Sequence, residues 1–224
     1  VERPPVWLMR QAGRYLPEYR AVRAQAGGFL AMVQDPELAA EVTLQPIRRF
    51  GMDGAILFSD ILLPLQAMGM ELTFDEGGPE LPHPLRTLAD VLALEPGEPR
   101  TDLAYVGRAL ELVKQGLPPH VALLGFAGAP FTLSSYAIEG GTSKSFLELK
   151  KFMYRAPEAW QALNERLSAI VSAHLLFQLE HGAEALVLFD TWAGTLTRED
   201  YRRFAAPFTA QVVAAVAPHA PLVL

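Results

Sequence analysis

Short apolar runs alternate along the sequence with longer segments of helical periodicity. Each run is bounded by Gly, Pro or a helix signal, and each predicts a buried parallel strand. The five runs are Val6–Met9, Gly54–Phe58, Val121–Leu124, Ala185–Phe189 and Pro221–Leu224. Alternating strands and helices predict an α/β fold whose parallel sheet holds its ligand site beyond the carboxyl ends of the strands.

The segments between these runs predict helices with one buried face. Asp35 and Pro36 are typical of a helix start, and Gly51 is typical of a helix end. A further helix is predicted from Thr197 to Val216. Two more helices, over 102–116 and 157–182, present apolar stripes: Leu103, Val106, Leu110 and Val113 in the first, and Trp160, Leu163, Leu167, Ile170, His174 and Phe177 in the second.

The spacing of the predicted strands indicates how the sheet is built. Five strands between residues 6 and 221 give about 54 residues per unit, which is compatible with an elaborated (β/α)₈ TIM-type barrel. Eight strands at this spacing do not fit into 224 residues. We therefore predict one barrel domain over 1–224, the incomplete N-terminal portion, with about 100 or more C-terminal residues missing. The Pro- and Gly-rich stretch Glu76–Pro99 predicts a hairpin or excursion with Glu71–Phe74.

Composition excludes several functional classes. The chain has no cysteine, which excludes a thiol nucleophile and thiolate metal sites. No apolar run approaches the roughly 20 residues of a membrane-spanning helix. The N-terminus has neither the basic start nor the apolar stretch of a secretory signal, so a cytoplasmic protein is expected, and the alternative is that a leader was removed, because the chain does not begin with methionine. A net charge of −6 argues against nucleic-acid binding. The five histidines lack metal-binding spacing, so no metal site is expected, and His174 is interpreted as a satisfied core or interface residue.

Basic residues are concentrated at the N-terminus of this acidic chain. The first 23 residues carry five arginines: Arg3, Arg10, Arg14, Arg20 and Arg23. Only Glu2 and Glu18 oppose them there. This local excess of positive charge suggests an anionic ligand, and the alternative is that these arginines form a solvated surface.

Candidate functional residues follow the predicted strands directly. Arg10 to Pro17 come after the first run, Asp60 after the second, and the segment 190–194 after the fourth. In a barrel these loops converge on one mouth, where arginines can bind carboxylates and glycines allow close approach of a ligand. Asp60 is a lone carboxylate at a strand end, and its alternative role is that of a helix cap.

Four ordered segments resemble the uroporphyrinogen decarboxylase family of haem biosynthesis. They are VWLMRQAGRYLPEYR (6–20), FSDILLPLQAMGMEL (58–72), GFAGAPFTLSSYAIEGG (125–141) and LFDTWAGTL (188–196). The resemblance implies a (β/α)₈ barrel that acts as a homodimer without cofactor or metal. It also implies a lyase that converts the acetate side chains of uroporphyrinogen III to methyl groups, giving coproporphyrinogen III.

The resemblance also assigns site residues. Asp60 matches the family's essential aspartate, Tyr136 its tyrosine in the cleft, and Thr191 a hydroxyl position. The substrate-binding loop of the family corresponds to Arg10, Gln11, Ala12, Gly13 and Arg14. A histidine in the C-terminal third of the family has no counterpart, because His219 stands in a different context.

The chemistry implied by the family explains these residue types. Loss of carbon dioxide from a pyrrole acetate requires an electron sink, which the protonated ring supplies. Asp60 would stabilise that cation by accepting hydrogen bonds from pyrrole N–H groups. The proton donor remains open between Arg10 and a water molecule. Two rival functions are a tetrapyrrole carrier, which would not need Asp60, and a corrinoid or thiol methyltransferase of related fold.

Overall fold

The centre of the structure, a computed structural model that describes residues 3–75 and 77–224, is an open parallel sheet. Its four strands, in spatial order, are β1 (Gly54–Ile56), β4 (Ala122–Gly128), β5 (Ala185–Phe189) and β6 (Leu222–Val223). Their register pairs Gly54 with Ala122, Leu124 with Ala185 and Leu186 with Leu222. Sequential parallel neighbours without closure form part of a barrel, as the sequence predicts.

Helices connect the strands and make up most of the described chain. The first six are α1 (Pro17–Ala26), α2 (Phe29–Gln34), α3 (Pro36–Phe50), α4 (Leu63–Ala67), α5 (Leu88–Leu92) and α6 (Pro99–Asp102). The next six are α7 (Ala104–Gly116), α8 (Pro130–Glu139), α9 (Leu147–Arg155), α10 (Pro157–Glu180), α11 (Arg198–Asp200) and α12 (Ala206–Val216). A 3₁₀ turn covers Thr191–Thr195, and a π turn, Tyr201–Ala205, interrupts the predicted helix from Thr197 to Val216.

Local capping explains why α3 has the bounds that its sequence predicts. The Asp35 carboxylate accepts a hydrogen bond from the Leu38 N–H at 3.0 Å, and Pro36 occupies the first turn. Gly51 ends the helix in the left-handed region at φ 63°, which glycine adopts without steric cost. This helix leads directly into β1 and therefore helps to set the position of Asp60.

The apolar stripes of α7 and α10 lie in the main hydrophobic core, as predicted. The Gln178 side chain fastens α10 to β4, since its amide accepts from the Phe126 N–H at 2.9 Å and donates to the Phe126 carbonyl at 2.8 Å. His174 is also buried, but its Nδ1 has no partner among the described residues. The prediction of a core residue is thus confirmed, but the expectation that its polar atoms are satisfied is wrong for Nδ1, because the stripe that buries the ring is apolar. Burial lowers the pKa of His174 to about 4, so the ring is neutral at pH 7.

The predicted strand Val6–Met9 is not a strand in the structure. Val6 exchanges hydrogen bonds with Asp53 alone, and Val6, Leu8 and Met9 are each about half exposed. The edge of β1 is occupied instead by the Gln11 side chain, which donates to the Gly54 carbonyl at 2.6 Å and accepts from the Ile56 N–H at 3.1 Å. The Gln11 amide thus takes the place of a strand beside β1, and the sheet has four strands where the sequence predicts five.

The predicted hairpin is confirmed and lies against the end of α8. It consists of the antiparallel strands β2 (Thr73–Phe74) and β3 (Pro79–Glu80), and Glu76 lies outside the described residues. The Leu81 N–H donates to the Gly140 carbonyl at 2.9 Å. This contact holds the hairpin beside the sheet, where it can border a ligand site.

Length and hydropathy of the helices bear on membrane insertion. Over residues 3–75 and 77–224, no helix combines the length and the apolar character needed to cross a bilayer.

Candidate active site

A cavity of about 380 Å³ lies at the carboxyl ends of β1 and β5. Six of the eight predicted site residues line it: Arg10, Gln11, Ala12, Asp60, Tyr136 and Thr191. They come from the N-terminal segment, the β1–α4 loop, α8 and the 3₁₀ turn after β5. The fold thus brings together groups that are up to 181 residues apart in the chain, Arg10 and Thr191 being the most distant.

Asp60 supplies a carboxyl group at the end of β1. Its Oδ1 accepts a hydrogen bond from the Leu62 N–H at 2.8 Å, just before α4 begins. The helix-cap interpretation therefore applies to one oxygen, and Oδ2 makes no hydrogen bond within the described ranges. Burial raises the pKa of Asp60 to about 6, and the Leu62 N–H offsets only part of that effect. The group is therefore mostly ionised at pH 7, and no cationic side chain among residues 3–75 and 77–224 forms an ion pair with it.

Tyr136 contributes a partly buried phenol from α8. Burial raises the pKa of Tyr136, the negative charge of Asp60 raises it further, and the positive charge of Arg10 lowers it. The phenol therefore stays protonated at neutral pH and can donate a hydrogen bond. Its ring packs against Trp192 with 5.9 Å between centroids, which restricts its orientation at the cavity wall.

Gln11 and Arg10 have different roles although they are adjacent. The Gln11 amide is committed to the backbone of β1, so its side chain fixes the loop rather than facing a ligand with free polar atoms. Arg10 is exposed and lines the cavity. Ala12 lines the same wall with a small side chain. The loop thus presents one cation from a backbone held rigidly against the sheet.

Arg14 borders a second concavity of about 390 Å³, and Arg10 connects the two spaces. Arg23 and Asp75 also line it, together with aromatic residues of α1, α2 and the hairpin. Gly13 lines neither space, and a Cβ at this position would meet only the Tyr15 ring at 3.6 Å. The predicted binding loop is therefore divided between two adjoining regions.

The remaining N-terminal arginines have structural partners. Arg3 forms a bidentate ion pair with Asp53, with 2.7 and 2.9 Å between nitrogen and oxygen atoms. Arg20 donates to the Arg14 carbonyl at 2.7 Å. Three of the five arginines therefore border the two spaces, and the other two are used to hold the N-terminal segment. Arg3, Arg10, Arg14 and Arg20 are also exposed, so the solvated-surface alternative stays open for the arginines that border the two spaces.

Sequence reasoning did not assign roles to three other residues in or beside the site. Ser59 and Pro79 line the cavity, the latter because the hairpin returns against α8. Asp190 follows β5 and immediately precedes Thr191, and burial raises the pKa of its carboxyl group. The rule that identified Asp60, a carboxylate directly after a buried strand, would also have identified Asp190. Pro79 depends on a tertiary contact that periodicity does not report.

Potential metal ligands are dispersed. Within 3–75 and 77–224, no group of three or more His, Asp or Glu side chains is arranged to hold a metal ion. The cavity therefore offers a carboxylate, a guanidinium, a phenol and hydroxyl groups. This set can bind an anionic ligand through Arg10 and place a negative charge against a cationic part of it through Asp60.

Comparisons with known proteins agree with the family resemblance of the four ordered segments. The family model described as uroporphyrinogen decarboxylase matches residues 1–224. A uroporphyrinogen decarboxylase of Chloroflexus aggregans is 54% identical over 220 residues, covering 96% of this chain and 60% of that protein. The uroporphyrinogen decarboxylase of Roseiflexus sp. is 52% identical over 217 residues, which cover 96% of this chain and 62% of that protein. The one of Nitrosococcus oceani is 50% identical over 217 residues, which cover 96% of this chain and 61% of that protein. The chain thus spans about 60% of the length of these curated relatives.

A solved structure shares the fold at low sequence identity. A methyltransferase from Methanosarcina mazei superposes with a TM-score of 0.74 at 18% identity, covering 99% of this chain and 64% of that chain. This likeness establishes the architecture alone.

Proposed function

The chain belongs to the uroporphyrinogen decarboxylase family, and we propose that the complete protein removes carbon dioxide from the acetate side chains of uroporphyrinogen III. The product would be coproporphyrinogen III, which retains methyl groups at those positions. The observation that carries the proposal is Asp60, a carboxyl group whose Oδ2 accepts no hydrogen bond from the described residues, in a cavity that Arg10 and Tyr136 also line. The family resemblance implies these three as the catalytic residues.

The arrangement of arginines supports an acidic tetrapyrrole as the substrate. Uroporphyrinogen carries carboxylates around its whole rim, so it requires cations at more than one point. Arg10 lies at the junction of the two spaces, and Arg14 and Arg23 border the outer one. Guanidinium groups bind carboxylates in a bidentate manner, so this distribution would hold the rim while the reacting acetate enters the cavity.

Asp60 would lower the barrier through its charge. Protonation of a pyrrole ring carbon makes the ring cationic, and cleavage of the bond between the acetate methylene and its carboxylate then releases carbon dioxide and leaves the electron pair in the ring. A second proton converts the methylene to a methyl group, and the ring proton is lost. Burial disfavours the charged form of Asp60, and the cationic ring relieves this effect. The interaction is therefore strongest as the cation forms.

The other residues would position the ring. Tyr136 and Thr191 can donate hydrogen bonds to substrate carboxylates, since both line the cavity and carry hydroxyl groups. Gln11 would hold the loop against β1, and the small side chain of Ala12 would leave room for close approach of the macrocycle. The proton donor is either Arg10 or a water molecule, because a guanidinium releases its proton only when its pKa is strongly perturbed.

A turnover assay tests this function. The complete protein is incubated anaerobically with uroporphyrinogen III, and the porphyrins are separated by chromatography after oxidation. We expect products with seven, six, five and four carboxylates, and no conversion with heat-denatured protein. Binding without conversion would favour the carrier, and absence of both would refute a tetrapyrrole function.

The assembly and location of the complete protein are part of the same proposal. The family resemblance supports a homodimer and a single barrel domain that includes residues 1–224. Light scattering coupled to gel filtration would give twice the chain mass, and a monomer mass would contradict it. Cell fractionation tests the predicted cytoplasmic location.

A further inference from the structure

Asp190 and Thr132 form a buried contact behind the cavity wall. The Thr132 hydroxyl, fully buried on α8, donates to Asp190 Oδ1 at 2.9 Å. Asp190 Oδ2 is buried and has no hydrogen-bond partner within the described part of the chain. A buried polar atom without a partner lowers stability, so its presence beside a candidate site calls for a functional explanation.

The same hydroxyl also holds the turn that follows β5. Thr132 Oγ1 accepts a hydrogen bond from the Trp192 N–H at 3.2 Å. A hydroxyl can donate one hydrogen bond and accept others through its lone pairs. The Thr132 side chain therefore joins α8 both to Asp190, which follows β5, and to Trp192 in the 3₁₀ turn. Thr191 lies between the two anchored residues and lines the cavity.

The contact also bears on Tyr136. Residues four apart lie on the same face of a helix, so Tyr136 projects from α8 one turn beyond Thr132. Its ring packs against Trp192, and the Trp192 ring in turn packs against Phe146 with 5.1 Å between centroids. The position of Trp192, which the Thr132 hydroxyl fixes, therefore sets one side of the space available to the phenol.

We propose that Asp190 and Thr132 are positioning residues that hold Thr191 and Tyr136 in place at the cavity wall for the decarboxylation. Neither residue lines the cavity, so both would act through their neighbours rather than through substrate. This inference rests on the proposed function. Displacement of a positioned group by about 1 Å can cost on the order of 10²-fold in rate, which gives the scale of the expected effect.

The activity test compares variants in the complete protein. Thr132→Val keeps the shape but removes the hydroxyl, and we expect kcat/KM to fall by about 10- to 100-fold. Thr132→Ser should restore it to within about threefold. Asp190→Ala removes the bond between Asp190 and Thr132 but leaves the bond from the Trp192 N–H to Thr132 Oγ1, so it should lower kcat/KM less than Thr132→Val does. The double variant should be no worse than Thr132→Val alone, because Thr132→Val already removes both bonds. Ser134→Ala is the matched control: Ser134 is buried on the same helix and bonds to Asn164 at 3.0 Å, away from the cavity.

A spectroscopic readout separates this proposal from the proposed function. In protein labelled with 5-fluorotryptophan, the Trp192 fluorine resonance is assigned through Trp192→Phe. Thr132→Val should shift or broaden that resonance and leave Trp160 unchanged, and Ser134→Ala should leave both unchanged. A shifted resonance with wild-type kcat/KM, or an unshifted resonance, would overturn the positioning role. If wild-type protein fails to decarboxylate uroporphyrinogen, the proposed function fails first, and the role in that reaction is rejected with it. If Thr132→Val does not fold, Asp190→Ala measured against Thr132→Ser tests the bond between Asp190 and Thr132, and a wild-type kcat/KM in Asp190→Ala would overturn the role of that bond.

Discussion

The carboxyl groups at the two ends of the parallel strands have different partners. At the amino ends, Asp53 precedes β1 and Glu184 precedes β5. Each forms an ion pair with a basic side chain, Arg3 or Lys114 respectively, and accepts a hydrogen bond from a backbone N–H. At the carboxyl ends, Asp60 follows β1 and Asp190 follows β5, and neither has a cationic partner within the described residues.

The pKa values of these groups change in opposite directions. The Arg3 guanidinium, followed by the Val6 N–H, lowers the pKa of Asp53, and Lys114, followed by the Leu123 N–H, lowers that of Glu184. Burial raises the pKa of Asp60 and of Asp190. One end of the sheet thus pairs its carboxylates with cations, and the other end buries its carboxyl groups, of which Asp60 lines the cavity and Asp190 lies behind its wall.

The largest expected effect distinguishes Asp60 from Asp53. Asp60→Asn keeps one acceptor oxygen but removes the charge, so turnover should fall by roughly 10²–10³. Between about pH 4 and pH 6, Asp60 is protonated in the folded protein but already ionised in the unfolded chain. Ionised Asp60 therefore lowers the free energy of unfolding at pH 7 by at most about 3 kcal/mol, so Asp60→Asn should not lower stability.

Asp53→Asn is the matched variant at the other end of β1. It weakens the ion pair with Arg3, so the melting temperature should fall while turnover stays within about twofold of wild type. Thermal unfolding and steady-state kinetics on both variants check the contrast. Loss of turnover in Asp53→Asn with retained turnover in Asp60→Asn would reverse the assignment of the two ends.

Arg14→Ala tests whether the outer space at the ligand end contributes to binding. Loss of one charged contact should raise KM by about tenfold, and added salt should weaken wild-type binding by screening exposed charges. Arg108→Ala on α7 is the control, because Arg108 pairs with Glu111 on the protein surface. Equal KM values for the two variants would support the alternative that Arg14 is a solvated surface residue without a role in binding.

The pH dependence of turnover is a smaller effect with a defined direction. Since Asp60 must be ionised to stabilise a cation, and its pKa is about 6, kcat/KM should fall about fourfold between pH 7.5 and pH 5.5. Kinetics on wild-type protein, with stability monitored at each pH, measure this decline. A flat profile across this range would show that ionisation of Asp60 does not control the reaction.

Glu184→Gln should have the smallest effect. Glu184 is exposed and its contact with Lys114 is a surface ion pair, so the melting temperature should fall by at most a few degrees. Turnover should remain within about twofold of wild type. A tenfold loss of turnover would mean that the amino ends of the strands also affect the chemistry.

Local signals explain what the sequence predicts well. Asp35, Pro36 and Gly51 mark the ends of α3, and an isolated apolar run marks β5 at the observed bounds, because caps and short buried strands depend on adjacent residues. Asp60 is a candidate from the sequence because ligands bind beyond the ends of parallel strands, and the structure places it in the cavity lining.

Tertiary contacts explain what the sequence does not predict. Val6–Met9 has the composition of a strand, but the Gln11 amide occupies the edge of β1. The role of Thr132 depends on how α8 meets the end of β5, and the second space depends on the hairpin returning toward α1. None of these is encoded in a spacing along the chain.

The pKa of Asp60 in the folded protein tests the contrast between the two ends most directly. Carbon-13 NMR titration of the aspartate carboxyl groups, with Asp60 assigned by the loss of its signal in Asp60→Asn, gives this value and that of Asp53 in one experiment. We expect Asp60 to titrate near 6 and Asp53 below its ordinary value of 3.8. An Asp60 pKa at or below 4 would contradict the account, because the carboxyl would then be stabilised like its counterpart at the amino end.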